Sequence, residues 1–202
     1  MMNLQDSIKK EFITALRHPL SYSSFLNLFR VLTMYGGIDK KYIVRALFII
    51  FISFTGIPFR IIEKIKYGRK IEQTQIHPSP IFIIGHWRSG TTYLHNLVAQ
   101  DPNLGYVSNL LAYAPESFFI SQPFKKIIKK IVPSKRPMDN VDNSLTSPEE
   151  EEWAVANICP YSTYHASYFP KTFQKKFHNI SELESNKYEE FINKWKNAYI
   201  NF

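Results

Sequence analysis

The stretch Pro80-Ile-Phe-Ile-Ile-Gly-His-Trp-Arg-Ser-Gly-Thr-Thr-Tyr-Leu94 carries the clearest structural signal in this chain of 202 residues. Residues 81–84 form a continuous apolar run, which is typical of a central parallel strand buried on both faces. Gly85 permits a sharp exit from such a strand, and Thr91 and Thr92 then open a segment with apolar residues at helical spacing. The pattern predicts a strand, a tight loop and the N-terminus of a helix, which is a unit of α/β folds.

The turn between this strand and helix is suited to binding an anion. The first N–H groups of a helix have no intrahelical partner, and the helix dipole adds partial positive charge there. Arg88 adds a permanent charge and a planar set of donors, and Ser89, Thr91 and Thr92 add hydroxyl groups. Gly90 has no Cβ, so the backbone can come close to a ligand. The loop therefore predicts a site for phosphate or sulfonate oxygens.

The spacing of the loop, G-x4-G-T-T, differs from the G-x4-G-K-[ST] motif of nucleotide triphosphatases. Thr91 stands at the lysine position, and the cation lies inside the loop at Arg88. Phosphoryl transfer also needs an acidic magnesium ligand after a second apolar strand, and no apolar run in the sequence ends in Asp. The pattern favours an anion bound without a metal. A P-loop kinase-like nucleotide-binding enzyme and a tight turn without a ligand remain the alternatives.

Residues 80–101 resemble the 5′-phosphosulfate-binding segment of sulfotransferases that use 3′-phosphoadenosine-5′-phosphosulfate. The version Gly-His-Trp-Arg-Ser-Gly-Thr-Thr at 85–92 is similar to a bacterial group of that family. Three further segments resemble the same group: 67–71, 136–141 and 148–153. The resemblance covers about residues 40–170 and is to the N-terminal portion of such a protein, before the family's Arg-Asp-Pro segment for the 3′-phosphate.

The resemblance implies an α/β fold with a P-loop-like parallel sheet and flanking helices. It implies transfer of a sulfuryl group from 3′-phosphoadenosine-5′-phosphosulfate, without a metal, to a hydroxyl or amine of a small-molecule, glycan or lipid acceptor. Carried over by position, the residues that hold the donor are Trp87, Arg88, Ser89, Gly90, Thr91 and Thr92. Arg88 is also expected to act in catalysis.

The base that takes the acceptor proton is expected in the segment Pro148-Glu-Glu-Glu-Glu152. Glu150 and Glu152 are the first candidates, and Glu116 is the second. The alternative for all three is a carboxylate that only stabilises the start of a helix. His95 lies one turn into the helix after the loop, where it either orients the phosphosulfate or hydrogen-bonds within the fold.

Composition and charge limit the remaining function classes. With 45% hydrophobic and 21% charged residues the chain can bury a core, which excludes a wholly disordered protein. Cys159 is the only cysteine and favours a reducing compartment, hence the cytoplasm. Residues 1–80 carry 12 Lys and Arg against 5 Asp and Glu, so most of the net charge of +8 lies there. These cations are mixed with aliphatic residues, which argues against nucleic acid as a partner.

Residues 1–75 are predicted to be a helical region that precedes the N-terminal half of a sulfotransferase-like domain at 76–202. Within it, Ala46–Phe59 is apolar but shorter than the roughly 20 residues that span a bilayer. The run predicts either a buried helix broken near Pro58 or a helix in the surface of an anionic membrane, which would make the chain peripheral at the inner membrane. A truncated, non-catalytic membrane-attached chain is a further alternative. The basic flanks of the run are Lys40, Lys41, Arg45, Arg60, Lys64, Lys66, Arg69 and Lys70.

The C-terminal region, residues 113–202, is predicted to be mainly helical after a second short strand that precedes it. Capping boxes at 147–150 and 181–184 predict two helix starts, because each has Ser followed three residues later by Glu. The helix after the second box is expected to continue almost to Phe202.

Overall fold

The structure is a computed structural model that describes residues 3–200 apart from 76, 87–88, 131, 133, 136–142 and 175–184. Trp87 and Arg88, the segment 136–141 and the capping box at 181–184 therefore lie outside the described residues.

Helices make up most of the described chain. They are α1 (Leu4–Leu16), α2 (Phe25–Tyr35), α3 (Ile43–Thr55), α4 (Ile57–Gln73), α5 (Thr91–Val98), α6 (Asn109–Tyr113), α7 (Phe118–Ser121), α8 (Lys125–Ile128), α9 (Glu151–Ile158), α10 (His165–Tyr168), α11 (170–174) and α12 (Ser185–Ile200). Four short 3₁₀ turns lie between them, at Pro19–Tyr22, Lys40–Tyr42, Pro115–Ser117 and Gln122–Phe124.

The predicted parallel sheet, and with it the α/β fold class, is wrong, since none of the residues that the structure describes belongs to a strand. Residues 80–86 have no regular structure, and Ile84 is 92% exposed. A parallel strand exists through hydrogen bonds to neighbouring strands, and the described segments supply no such neighbour. The second predicted strand is also wrong. Ser108 makes an isolated antiparallel bridge with Pro148, and α6 begins at Asn109.

The N-terminal helices follow the sequence prediction closely. The α1 helix ends at Leu16, just before His18–Pro19, where the sequence predicts its end. The apolar run divides at Gly56 into α3 and α4, with Pro58 in the first turn of α4, where a missing N–H costs nothing. Gly56 keeps right-handed helical angles, so α3 and α4 follow each other almost without interruption.

The core lies where α1 and α2 pack on α3. Its fully or almost fully buried apolar residues are Ala15, Leu20, Leu28, Val31, Tyr35 and Ile49. The Tyr35 ring stacks on Phe169 and Phe173, at centroid distances of 5.6 and 5.7 Å. The N-terminal helices therefore bury apolar surface against the segment around α10 and α11.

Hydrogen bonds tie α2 and the residue before its cap to α9 and the residues that follow it. Ser23 Oγ donates to the Asn157 carbonyl at 2.7 Å, and Asn27 Nδ2 donates to the Ala156 carbonyl at 3.1 Å. Tyr35 also donates its hydroxyl hydrogen to the Pro160 carbonyl at 2.8 Å. These bonds fix the position of α9 and of the acidic residues at its start. The division of the chain at residue 76 stays a prediction.

Candidate functional site

The loop before α5 exposes the N-terminus of that helix. Ser89 N–H donates to the His86 carbonyl at 3.1 Å, which closes a tight turn, and Gly90 follows at the N-cap with φ 96° and ψ 13°. The first backbone bond of the helix runs from Leu94 N–H to the Gly90 carbonyl at 3.0 Å. Within the described part of the chain no side chain caps this end. The helix start at Thr91 is confirmed, and its first N–H groups point out of the helix without a cap.

Gly85 lies where the loop folds back on itself. A Cβ atom on Gly85 would stand 2.6 Å from Thr91 Cγ2 and 2.7 Å from Ser89 Oγ, closer than real Cβ contacts. The sequence assigns Gly85 to the exit of a strand. In the structure, a glycine is needed at this position for another reason, because the missing side chain allows Ser89 and Thr91 to approach the backbone.

The described part of the loop places polar residues around the start of α5. Ser89 and Gly90 are exposed, and Thr91 and Thr92 are half-buried in the first turn of α5. His95 is half-buried one turn further along, and Asn96 Nδ2 donates to the Thr92 carbonyl at 2.9 Å. Uncapped helix N–H groups and hydroxyl groups are hydrogen-bond donors of the kind that bind anions.

Glu152 is held by the loop that follows α9. Its Oε1 accepts hydrogen bonds from Ser162 Oγ at 2.8 Å and from Thr163 N–H at 3.1 Å. Burial raises the pKa of this carboxyl, and the hydrogen bonds from Ser162 and Thr163 oppose the rise. Glu152 therefore has a fixed orientation and an environment that strengthens it as a base.

Glu150 occupies the N-cap position of α9, because the helix begins at Glu151. The capping box predicted at 147–150 is wrong: Ser147 and Pro148 pair with the chain around Ser108 instead. Asn109 N–H donates to the Ser147 carbonyl at 3.0 Å, so these residues are held in an extended conformation that a helix start excludes.

Glu116 and Arg60 form an ion pair, with Arg60 Nε 3.5 Å from Glu116 Oε2. The Arg60 side chain is only 13% exposed and donates to the backbone carbonyls of Tyr22, Ser23 and Ser53. Its prediction as a membrane-facing flank is therefore wrong. Burial raises the pKa of Glu116, and the Arg60 charge opposes the rise.

A cleft of about 620 Å³ lies beside this ion pair. Its walls are mainly apolar and come from α2, α4 and the end of α9, with Phe25, Leu26, Ile57, Ile61, Ile71 and Ile158 among the lining residues. Glu63, 5% exposed, accepts the N–H groups of Phe119 and Ile120 at 3.0 and 2.8 Å. The cleft is thus apolar, with carboxylates in its wall.

Arg60 and Glu63 are the polar residues of this region whose inward orientation sequence reasoning missed. A weak signal exists in Glu63, which is an isolated acid among isoleucines and cations. Helical spacing places residues on faces, but it does not tell which face the protein covers.

One histidine lies deep in the protein, away from solvent. His165 is fully buried in the core, where its Nε2 lies 3.1 Å from the Cys159 carbonyl. Burial lowers the pKa of His165 to about 4. Across the described ranges no group of three His, Cys, Asp or Glu side chains is arranged to hold a metal ion.

Comparison with known proteins identifies a family. The profile of the sulfotransferase family matches residues 80–199. The omega-hydroxy-beta-dihydromenaquinone-9 sulfotransferases Stf3 of Mycobacterium bovis and Mycobacterium tuberculosis are each 38% identical to this chain over 104 residues. Those residues are 50% of this chain and 27% of each relative. No solved structure matches the chain significantly.

Proposed function

This chain belongs to the sulfotransferase family, and on that premise we propose that it transfers a sulfuryl group from 3′-phosphoadenosine-5′-phosphosulfate to a hydroxyl or amine of an acceptor. The observation that carries the proposal is the uncapped N-terminus of α5, with Gly85 packed against Ser89 and Thr91. A helix end of this kind stabilises a doubly charged oxyanion through its N–H groups and dipole.

The loop residues hold the donor. The N–H groups at the start of α5 and the hydroxyls of Ser89, Thr91 and Thr92 donate to oxygens of the sulfonate and of the phosphate that leaves. Arg88 neutralises the charge that develops on those oxygens during transfer, and Trp87 contributes to donor binding. The donor supplies the sulfuryl group, whose sulfur bonds to the acceptor oxygen or nitrogen while its bond to the phosphate oxygen breaks. His95, one turn along α5, orients the phosphosulfate.

A carboxylate at the start of α9 takes the proton that the acceptor loses. Glu152 is the first candidate for this base, because burial raises its pKa and Ser162 and Thr163 fix its orientation. Glu150 is the other, two residues earlier in the chain. If Glu152 is the base, Glu152→Gln should remove activity with little change in donor affinity. It should also remove the limb of the pH–rate profile that reports the base. If Glu150 is the base, Glu150→Gln should have these effects instead.

We propose a lipid-like acceptor with a nucleophilic hydroxyl. The apolar cleft beside Arg60 and Glu116 has room for a hydrocarbon chain or ring system. The two mycobacterial relatives are named for a menaquinone derivative, which supports the same chemical class here.

Donor binding is tested by calorimetry with adenosine 3′,5′-bisphosphate, which carries the 5′-phosphate. Binding is expected without magnesium, and Arg88→Ala should weaken it about tenfold or more, the effect of losing a charge-assisted bidentate contact. Arg17→Ala is the matched control, since Arg17 is an exposed arginine at the end of α1. Unchanged affinity in Arg88→Ala would remove the loop from the proposal. Binding of ATP that depends on magnesium would instead favour a kinase-like enzyme.

A further inference from the structure

A stripe of exposed apolar side chains runs along α3 and α4. Its members recur every three or four residues, so they lie on one side of the nearly continuous helix. From end to end the stripe is about 33 Å long at 1.5 Å per residue. Its members are Ile43, Val44, Leu47, Phe51, Phe54, Pro58, Ile61, Ile62 and Ile65, all of them exposed.

Exposed apolar residues of α2 widen this stripe. Phe25 makes an edge-on ring contact with Phe54, with centroids 6.3 Å apart, and Leu26 and Phe29 are exposed on the same helix. The stripe with these three residues is called the apolar face below. A continuous exposed surface of this kind marks an interaction site more often than scattered single residues do.

The opposite side of the same helical segment packs against the rest of the protein. Ile49 and Ser53 are buried against α1 and α2, and Ser53 Oγ donates to the Ser23 carbonyl at 2.7 Å. Arg60 and Glu63, near the middle of the helical segment, make their polar contacts within the fold. By length and composition alone the helix Lys40–Gln73 could cross a membrane, with only 11% of its most apolar window buried. Because one side is bound to protein and carries buried charges, the helix can offer lipid only its apolar face.

Cations stand at both ends of the apolar face. Lys40 and Arg69 continue the helical spacing of the stripe, and Lys41, Lys66 and Lys70 are exposed beside them. Asp39 lies near the first group but is 3.6 Å from Lys171 Nζ, and Glu72 is exposed near the second. An apolar face bracketed by lysine and arginine complements an anionic bilayer, whose headgroups attract the cations while its acyl boundary accepts the apolar side chains.

We propose that α3 and α4 lie flat on an anionic membrane, with the apolar face in the boundary between headgroups and acyl chains. The orientation brings Phe25, Leu26 and Ile61, which line the apolar cleft, to the lipid surface. A lipid-like acceptor then reaches the cleft from the membrane. The membrane contact itself does not depend on the sulfotransferase proposal.

Vesicle co-sedimentation tests the contact with the full chain. Wild-type protein should bind vesicles of phosphatidylcholine and phosphatidylglycerol. It should bind vesicles of phosphatidylcholine alone more weakly. The double variant Leu47→Ser, Phe51→Ser removes two exposed apolar side chains and should weaken binding about tenfold or more. The matched control Ile127→Ser, Ile200→Ser removes two exposed isoleucines outside the face and should bind as wild type does.

A second pair of variants tests the charges. Lys66→Gln, Lys70→Gln should lower binding to the anionic vesicles about tenfold, with little effect on the neutral ones. Lys126→Gln, Lys129→Gln changes the net charge equally on and just after α8 and should bind like wild type. Equal binding by the face variants and their controls overturns the proposal. The proposal is also overturned if sedimentation equilibrium shows a dimer that does not bind vesicles and that dissociates in the variant Leu47→Ser, Phe51→Ser. A second copy of the chain would then cover the apolar face.

Discussion

At the scale of single residues, the loop depends most on the side chain that Gly85 lacks. Gly85→Ala would place a Cβ atom 2.6 Å from Thr91 Cγ2, so Ser89 and Thr91 must shift away from their present positions. We expect a loss of affinity for adenosine 3′,5′-bisphosphate of about tenfold or more, with the fold retained, because the misplaced hydroxyls no longer converge on the anion. Calorimetry and circular dichroism measure the two effects.

Gly105→Ala is the control for this substitution. Its added Cβ atom would meet nothing within 4 Å, and its backbone does not require a glycine. Affinity and secondary structure should both stay as in wild type. Normal affinity in Gly85→Ala would show that the close approach of Ser89 and Thr91 has no part in donor binding.

His165 makes stability depend on pH. Burial lowers its pKa from 6.5 to about 4, so the folded chain binds a proton on this ring less readily than the unfolded chain. The contribution of His165 to the free energy of unfolding should therefore be fully present above pH 6.5. As the pH drops towards 4, this contribution should fall by up to about 3 kcal/mol. His18, whose pKa burial also lowers to about 4, acts in the same direction.

The variant His165→Phe isolates this contribution. In urea unfolding at several pH values its free energy of unfolding should fall less than that of wild type between pH 6.5 and 4. A slope identical to that of wild type would contradict the buried, neutral state of this ring.

At the scale of elements, Glu63 joins α4 to the start of α7. Its carboxylate accepts the N–H groups of Phe119 and Ile120, at the positive end of that short helix. Glu63→Gln leaves a single neutral acceptor for two donors and should lower the free energy of unfolding by about 1–3 kcal/mol. Glu72→Gln, one exposed acid on the same helix, should change it little. Equal effects of the two substitutions in urea unfolding would show that the buried contact contributes nothing.

The elements also show how far sequence reasoning extends. The helix end at Leu16, the division of the apolar run at Gly56 and the helix start at Thr91 were predictable, because proline geometry, glycine and helical spacing act within one segment. Whether residues 81–84 form a strand could not be predicted from their own sequence, because a strand needs hydrogen bonds to a partner strand elsewhere in the chain. Pairing with the chain around Ser108 likewise prevents a helix start at Ser147.

At the scale of the whole molecule, long-range contacts decide which side of each helix is covered. Arg60 and Lys64 belong to the same basic stretch of sequence, yet Arg60 turns inward to backbone carbonyls while Lys64 stays exposed. No spacing rule separates the two, because the difference comes from the carbonyls of Tyr22 and Ser23, which lie within reach of Arg60. The helix start at Thr91 could be predicted from the sequence, whereas the apolar face and the cleft required the fold.

The long-range contacts also place the acidic segment at the start of α9. Tyr35, Ser23 and Asn27 hold α9 against the N-terminal helices, so the acidic start of α9 is fixed by residues more than a hundred positions away in the chain. The basic N-terminal helices thus hold the acidic segment in position, and they also contain the apolar face.

The most direct test of donor binding by the loop is an amide chemical-shift titration with adenosine 3′,5′-bisphosphate. The N–H signals of Ser89, Gly90, Thr91, Thr92 and Tyr93 should move most, and Arg88→Ala should reduce those shifts. Saturable binding that leaves these five amides unmoved would contradict an anion site at the start of α5.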